Sequence, residues 1–148
     1  MPTSSNQATT LSRADGASVG PIKEVRRRAE DALNAGDWSE ATALLRQALD
    51  ELPDWGEGLA HMGFCLAHQG RLHEARGYLI RAARLLPGDV DVYHNLGAIY
   101  QQLGEHDNAL SCYKEVVLAC PEDHAVYAQM AESALRLGRL KDATVLYT

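Results

Sequence analysis

The sequence predicts an all-α fold of consecutive helix–turn–helix pairs, on three regularities. Gly36, Gly70, Gly104 and Gly138 stand 34 residues apart, as do Ala41, Ala75, Ala109 and Ala143, and so do Pro53, Pro87 and Pro121. Apolar residues within the units recur at helical spacing: Leu59, Met62, Gly63 and Leu66, then Tyr93, Leu96, Gly97 and Tyr100. A fixed period without insertions marks an array of one repeated supersecondary unit.

Taken in order, the first 21 residues, MPTSSNQATTLSRADGASVGP, are small and polar. They lack the apolar stretch of a secretory signal and too little of them is apolar to offset ordering entropy, so residues 1–21 are expected to form a disordered leader. Four units follow, at about 22–55, 56–89, 90–123 and a partial 124–148. Each first helix ends at the 34-spaced glycine, which suits a left-handed C-terminal residue. The second helices are expected from about Leu72 to Leu86 and from about His106 to Cys120, each closed by a proline that cannot continue the helix. Asp89, in PGDVD, is placed to cap the next helix.

Glycine inside a helix costs about 1 kcal/mol relative to alanine, so Gly63 and Gly97 need a reason. Ala29 and Ala131 take their place in the other units. With Ala41, Ala75, Ala109 and Ala143 facing them across each hairpin, helix backbones are expected to approach closely. Tyr93, Tyr100 and Tyr113 then fill the space around that contact.

The 148 residues are 46% apolar and 23% charged, with a net charge of −6. That balance gives no global support to a nucleic-acid partner. The single basic run, Arg26 to Arg28, is surrounded by Glu24, Glu30 and Asp31 and reads as a solvated helix face. No 18-residue apolar stretch exists, so no membrane helix is expected. Cys65, Cys112 and Cys120 are odd in number and lack C-x-x-C spacing. With Cys112 and Cys120 about 12 Å apart along one expected helix, reduced thiols and a cytoplasmic location are the expectation.

No phosphate-binding loop, dinucleotide fingerprint, nucleophile elbow or H-E-x-x-H motif occurs. Ser111-x-x-Lys114 spells a serine–lysine pattern and Asp89-x-Asp91 a metal-binding one, each without supporting motifs. His61, Cys65 and His68 lie at i, i+4 and i+7, with His94 on the next unit. They are suitable zinc donors, but the alternative is scattered histidines around a cysteine that fills a gap between helices. No metal, cofactor or catalytic residue is assigned.

The 34-residue unit, with Leu-Gly and Tyr in the first helix and Gly-x-x-x-x-Ala before the second, resembles the tetratricopeptide repeat. YHNLGAIYQQLGEHDNALSCYKEVVLACPED and LAHMGFCLAHQGRLHEARGYLIRAARLLPGD carry the likeness, which runs over about residues 22–148. It implies a right-handed solenoid of antiparallel hairpins whose first helices line a concave, peptide-binding groove. Carried over by repeat position, that groove would comprise Lys23, Arg26, Arg27 and Glu30, and then Glu57, His61, Phe64 and His68. Asp91, His94, Asn95, Ala98, Gln101 and Gln102 would continue it, followed by Gln129, Glu132 and Arg136.

Two subtypes of the family can be compared. The chaperone-binding carboxylate clamp is absent: Glu30 stands where an asparagine is needed, and Asp91 and Asn95 stand where lysine and arginine are needed. The arrays attached to protein O-glycosyltransferases carry one asparagine per repeat. Here Arg27, His61, Asn95 and Gln129 hold that place, and Asn95 fits it. The expected role is therefore a protein-interaction scaffold or adaptor. The alternative is a substrate-recruiting segment of a larger glycosyltransferase-, methyltransferase- or sulfotransferase-type enzyme, with catalysis beyond Thr148. Val145, Leu146 and Tyr147 close the chain without a capping helix, so self-association through that end is a third expectation.

Overall fold

The computed structural model describes residues 19–147, which form eight helices and no strands among the described residues. The chain divides into two compact units, residues 1–53 and 54–148. The first unit contains one hairpin, α1 (Val19–Ala35) and α2 (Trp38–Glu51). The second contains three: α3 (Gly56–His68) with α4 (Leu72–Leu85), α5 (Val90–Gln102) with α6 (His106–Ala119), and α7 (His124–Arg136) with α8 (Leu140–Tyr147). Connections this short leave paired helices antiparallel. The all-α repeat architecture is the expected one.

Helix α1 begins three residues before the expected Ile22, so residues 19–21 are helical; the rest of the expected leader lies outside the described residues. Ile22, Ala29 and Ala32 form its buried stripe, against Ala41, Leu44, Leu45 and Ala48 of α2. Asp37 starts α2 by accepting the Glu40 N–H at 3.0 Å.

All four hairpin turns are built alike. The glycine adopts φ of 72° at Gly36, 76° at Gly70, 77° at Gly104 and 73° at Gly138, a region that disfavours other residues. At the second turn the Arg71 N–H bonds Leu66 O at 2.9 Å while Gly70 N–H bonds Ala67 O at 3.0 Å. This pair of bonds is the Schellman arrangement that satisfies orphan carbonyls at a helix end. Second helices stop before their prolines, with Leu52, Leu86 and Cys120 as C-terminal caps. Cys120 thus lies just past α6 rather than within it.

Asp89 caps α5 through the Val92 N–H at 3.0 Å, and Asp123 caps α7 through the Ala125 and Val126 N–H groups. Within the second unit, Leu59, Met62, Leu66 and Leu79 are buried to 1% exposure or less. Full burial of one such side chain contributes about 2 kcal/mol. Ala109, Leu110, Tyr113, Val116, Val126 and Met130 carry the core onward between α6 and α7.

Across the hairpin the interior glycines meet larger side chains, and Gly63 also meets the backbone of the expected Ala75. A Cβ on Gly97 would lie 2.6 Å from Tyr113 Cε1, and one on Gly63 would lie 2.5 Å from Leu79 Cγ and 3.1 Å from the Ala75 carbonyl oxygen. Leu79 and Tyr113 are themselves 34 residues apart. The missing methyl therefore makes room for a leucine in one hairpin and a phenol ring in the next.

Candidate functional site

In the second unit, helices α3 and α5 present equivalent faces toward two adjoining cavities. Each face follows from helical spacing: residues three and four apart stand above one another. From α3 come Glu57, Ala60, His61 and Phe64, then Ala67 and His68. From α5 come Asp91, Val92 and Asn95, then Ala98, Ile99 and Gln102. The larger cavity, about 520 Å³, also touches Leu86 and Asp89; the smaller, about 340 Å³, lies toward His68 and Gln102. Phe64 and Asn95 line both, which makes the pair one trough with an aromatic ring and an amide at its middle.

Eight of the expected groove residues meet here: Glu57, His61, Phe64, His68, Asp91, Asn95, Ala98 and Gln102. The sequence reading missed Ala60, Ala67, Leu86, Asp89, Val92 and Ile99. These are the floor and one end of the trough, and the small and apolar ones carried no signal beyond lying next to the polar stripe. The Phe64 ring meets His68 edge-on at 4.5 Å between centroids, which orients both side chains.

His94 and Gln129 do not line the trough. His94 Nε2 lies 3.1 Å from Gln129 Oε1, so each is occupied by the other. Gln101, on the same helix as His94, donates to Gln129 O at 2.9 Å and to Ser133 Oγ at 2.8 Å, and accepts the Tyr113 hydroxyl at 2.7 Å. These residues, expected in the groove, tie α5 to α6 and α7. Glu132 and Arg136 line neither cavity and approach each other at 4.0 Å on exposed α7 surface.

Lys23, Arg26, Arg27 and Glu30 belong to α1 of the other unit. Arg27 is held by its own helix, donating to Glu24 at 2.7 Å and to Asp31 at 2.8 Å. The hydrogen bond to Arg27 lowers the Glu24 carboxyl below its ordinary pKa. Arg28 approaches Glu40 at 3.5 Å, so the basic run is laced to carboxylates.

The residues considered for zinc diverge. Cys65 is fully buried, and loss of hydration pushes its thiol up to about 11, whereas His68 is exposed. A metal-binding cysteine needs its thiolate. Among the described residues, no three His, Cys, Asp or Glu side chains gather closely enough to hold a metal ion. Ser111 Oγ donates to the Asp107 carbonyl one turn earlier, a local helix contact. Asp89 acts as a helix cap. Val145 is 73% exposed; the side chains of Leu146 and Tyr147 lie outside the described residues.

Comparison with known proteins agrees with this architecture. Residues 57–117 match the family model described as tetratricopeptide repeat. The human DnaJ homolog subfamily C member 3 is 29% identical in an alignment 140 residues long that covers 85% of this chain and 27% of that protein. The chain therefore spans about a quarter of the length of that relative. Among solved structures, MamA from Desulfovibrio magneticus superposes with a TM-score of 0.80 at 22% identity, over 84% of this chain and 71% of that one. The O-GlcNAc transferase of Thermobaculum terrenum gives a TM-score of 0.70 at 22% identity, over 78% of this chain and 22% of that one.

Proposed function

We propose that the chain, whose residues 57–117 match the tetratricopeptide-repeat family model, is a tetratricopeptide-repeat protein-interaction scaffold holding an extended peptide segment in the α3–α5 trough. The observation that carries this reading is the shared position of Phe64 and Asn95 in both cavities. An amide offers both a donor and an acceptor to the backbone of an extended chain. The faces from Glu57 to His68 and from Asp91 to Gln102 each run eleven residues along a helix, about 16 Å. That length accommodates about five residues of extended peptide.

The test is partner capture on immobilised protein with the double variant Asn95→Ala, His61→Ala. The expected result is loss of the partners held by the parent chain at unchanged far-ultraviolet helicity. Undiminished capture would overturn the assignment.

A second reading makes the same trough the substrate-recruiting segment of a larger enzyme. It is supported by the fold shared with 22% of the chain of the T. terrenum O-GlcNAc transferase. Determining the coding sequence past the Thr148 codon tests it. An open frame into a catalytic domain supports the enzyme segment; an immediate stop codon overturns it. A cytoplasmic location remains part of the scaffold proposal; among the described residues no helix is long and apolar enough to cross a membrane.

A further inference from the structure

The carboxylates that line the trough stand at one of its two ends. Toward the N-terminus of α5 it is lined by Asp89 and Asp91, with Glu57 across from them on α3. Toward the other end it is lined by Phe64, Ala67, Ala98 and Ile99, with His68 and Gln102 at the edge. Among the described residues, no lysine or arginine lines either cavity.

Asp89 spends one carboxylate oxygen on the Val92 N–H, at 3.0 Å. A carboxylate has two oxygens and several acceptor sites, so the cap leaves acceptor capacity. The N-terminus of α5 opposes these charges with about half a positive charge, against two full negative ones. The local field therefore stays negative.

We propose that the trough selects a partner segment carrying a lysine or arginine, seated against Asp89 and Asp91, with an apolar side chain lying against Phe64, Ala98 and Ile99. This rests on the peptide-binding reading of the same trough and adds the class of ligand. The axial separation fixes the spacing. Asp91 and Ala98 are seven residues apart on α5, about 10 Å, which is about three residues of extended chain. Asn95, between them, meets the intervening peptide backbone. An acidic segment is disfavoured at the same place because its carboxylate would face like charge without a counter-ion.

A random octapeptide library displayed on phage, panned against the full chain, tests the proposal. Recovered peptides are then measured by fluorescence anisotropy against the parent, Asp91→Lys, Asn95→Ala and Ala98→Trp chains, with far-ultraviolet spectra confirming equal helicity. Expected are peptides with lysine or arginine about three positions from an apolar residue, weakened at least tenfold by Asp91→Lys. Binding to that variant should return when the peptide's basic residue is replaced by glutamate.

Peptides that lose affinity to Asn95→Ala and Ala98→Trp but carry no basic residue, or ignore Asp91→Lys, would overturn the charge selection and leave the trough standing. Peptides indifferent to all three variants, or no recovered binder, would overturn the trough reading and the selection with it.

Discussion

The Tyr113 hydroxyl donates to Gln101 Oε1 at 2.7 Å, and that bond aims the Gln101 amide at the next hairpin. Its Nε2 then reaches Gln129 O and Ser133 Oγ on α7. One buried phenol on α6 thus sets the contact between α5 and α7. Burial also raises the pKa of this phenol well above the ordinary tyrosine range, so it remains a donor at physiological pH.

Tyr113→Phe is expected to destabilise the chain by about 1 kcal/mol, because Gln101 loses a partner while the ring packing stays. Gln101→Ala should cost more, since Ser133, itself fully buried, then loses its donor. Urea unfolding of the two variants checks the order. A Gln101→Ala midpoint at or above that of Tyr113→Phe would contradict it.

Two glycine substitutions should act in opposite directions. Gly77→Ala, on exposed α4 with nothing within 4 Å of the added methyl, is expected to stabilise by about 0.5–1 kcal/mol through helix propensity. Gly97→Ala gains the same propensity but drives a methyl into the Tyr113 ring, 2.6 Å away. Overpacking of this kind costs about 1–3 kcal/mol, so the net effect should be destabilising. Thermal melts of the pair decide between the two contributions.

The three cysteines should react in two classes. Burial pushes the Cys65 and Cys112 thiols up to about 11, and Cys120 is exposed. Iodoacetamide at pH 8 on the native chain is expected to alkylate Cys120 rapidly and the other two slowly, because the thiolate is the nucleophile. In denaturant all three should label. Peptide mass mapping reads the difference, and equal native rates would refute it.

The same two thiols make stability depend on alkaline pH. Their folded pKa values lie above the ordinary thiol value of 9.0, so the folded state holds protons that the unfolded state releases. Their contribution is fully present below pH 9 and falls as pH rises through 9 to 11. The loss at the top of that window is on the order of 2 kcal/mol for each thiol. Urea midpoints at pH 8, 10 and 11 should decline in that order; a constant midpoint would refute the assignment.

What the sequence determined by itself is the local grammar of the fold. The 34-residue spacing of glycine and proline placed the turns and stops, because only glycine is at ease with φ near 75° and proline cannot extend a helix. The resemblance to the tetratricopeptide repeat, carried over by repeat position, assigned Glu57, His61, Phe64 and His68 to one face and Asp91, Asn95, Ala98 and Gln102 to the matching one, and both faces line the trough. Periodicity says which way a residue points, and says nothing of which neighbour reaches it first.

Tertiary structure decided that second question. His94 and Gln129 found each other, 35 residues apart, and left Asn95 as the amide in the trough. It also decided that Gly97 yields to the Tyr113 ring and that the trough's charge comes from Glu57, Asp89 and Asp91, with no lysine or arginine among the described residues of its lining. His94 and Gln129 stand on successive hairpins, 35 residues apart, whereas Gly97 and Tyr113 face each other within one hairpin. Both contacts are settled by distances of a few ångströms between residues far apart in the chain, which no local pattern encodes.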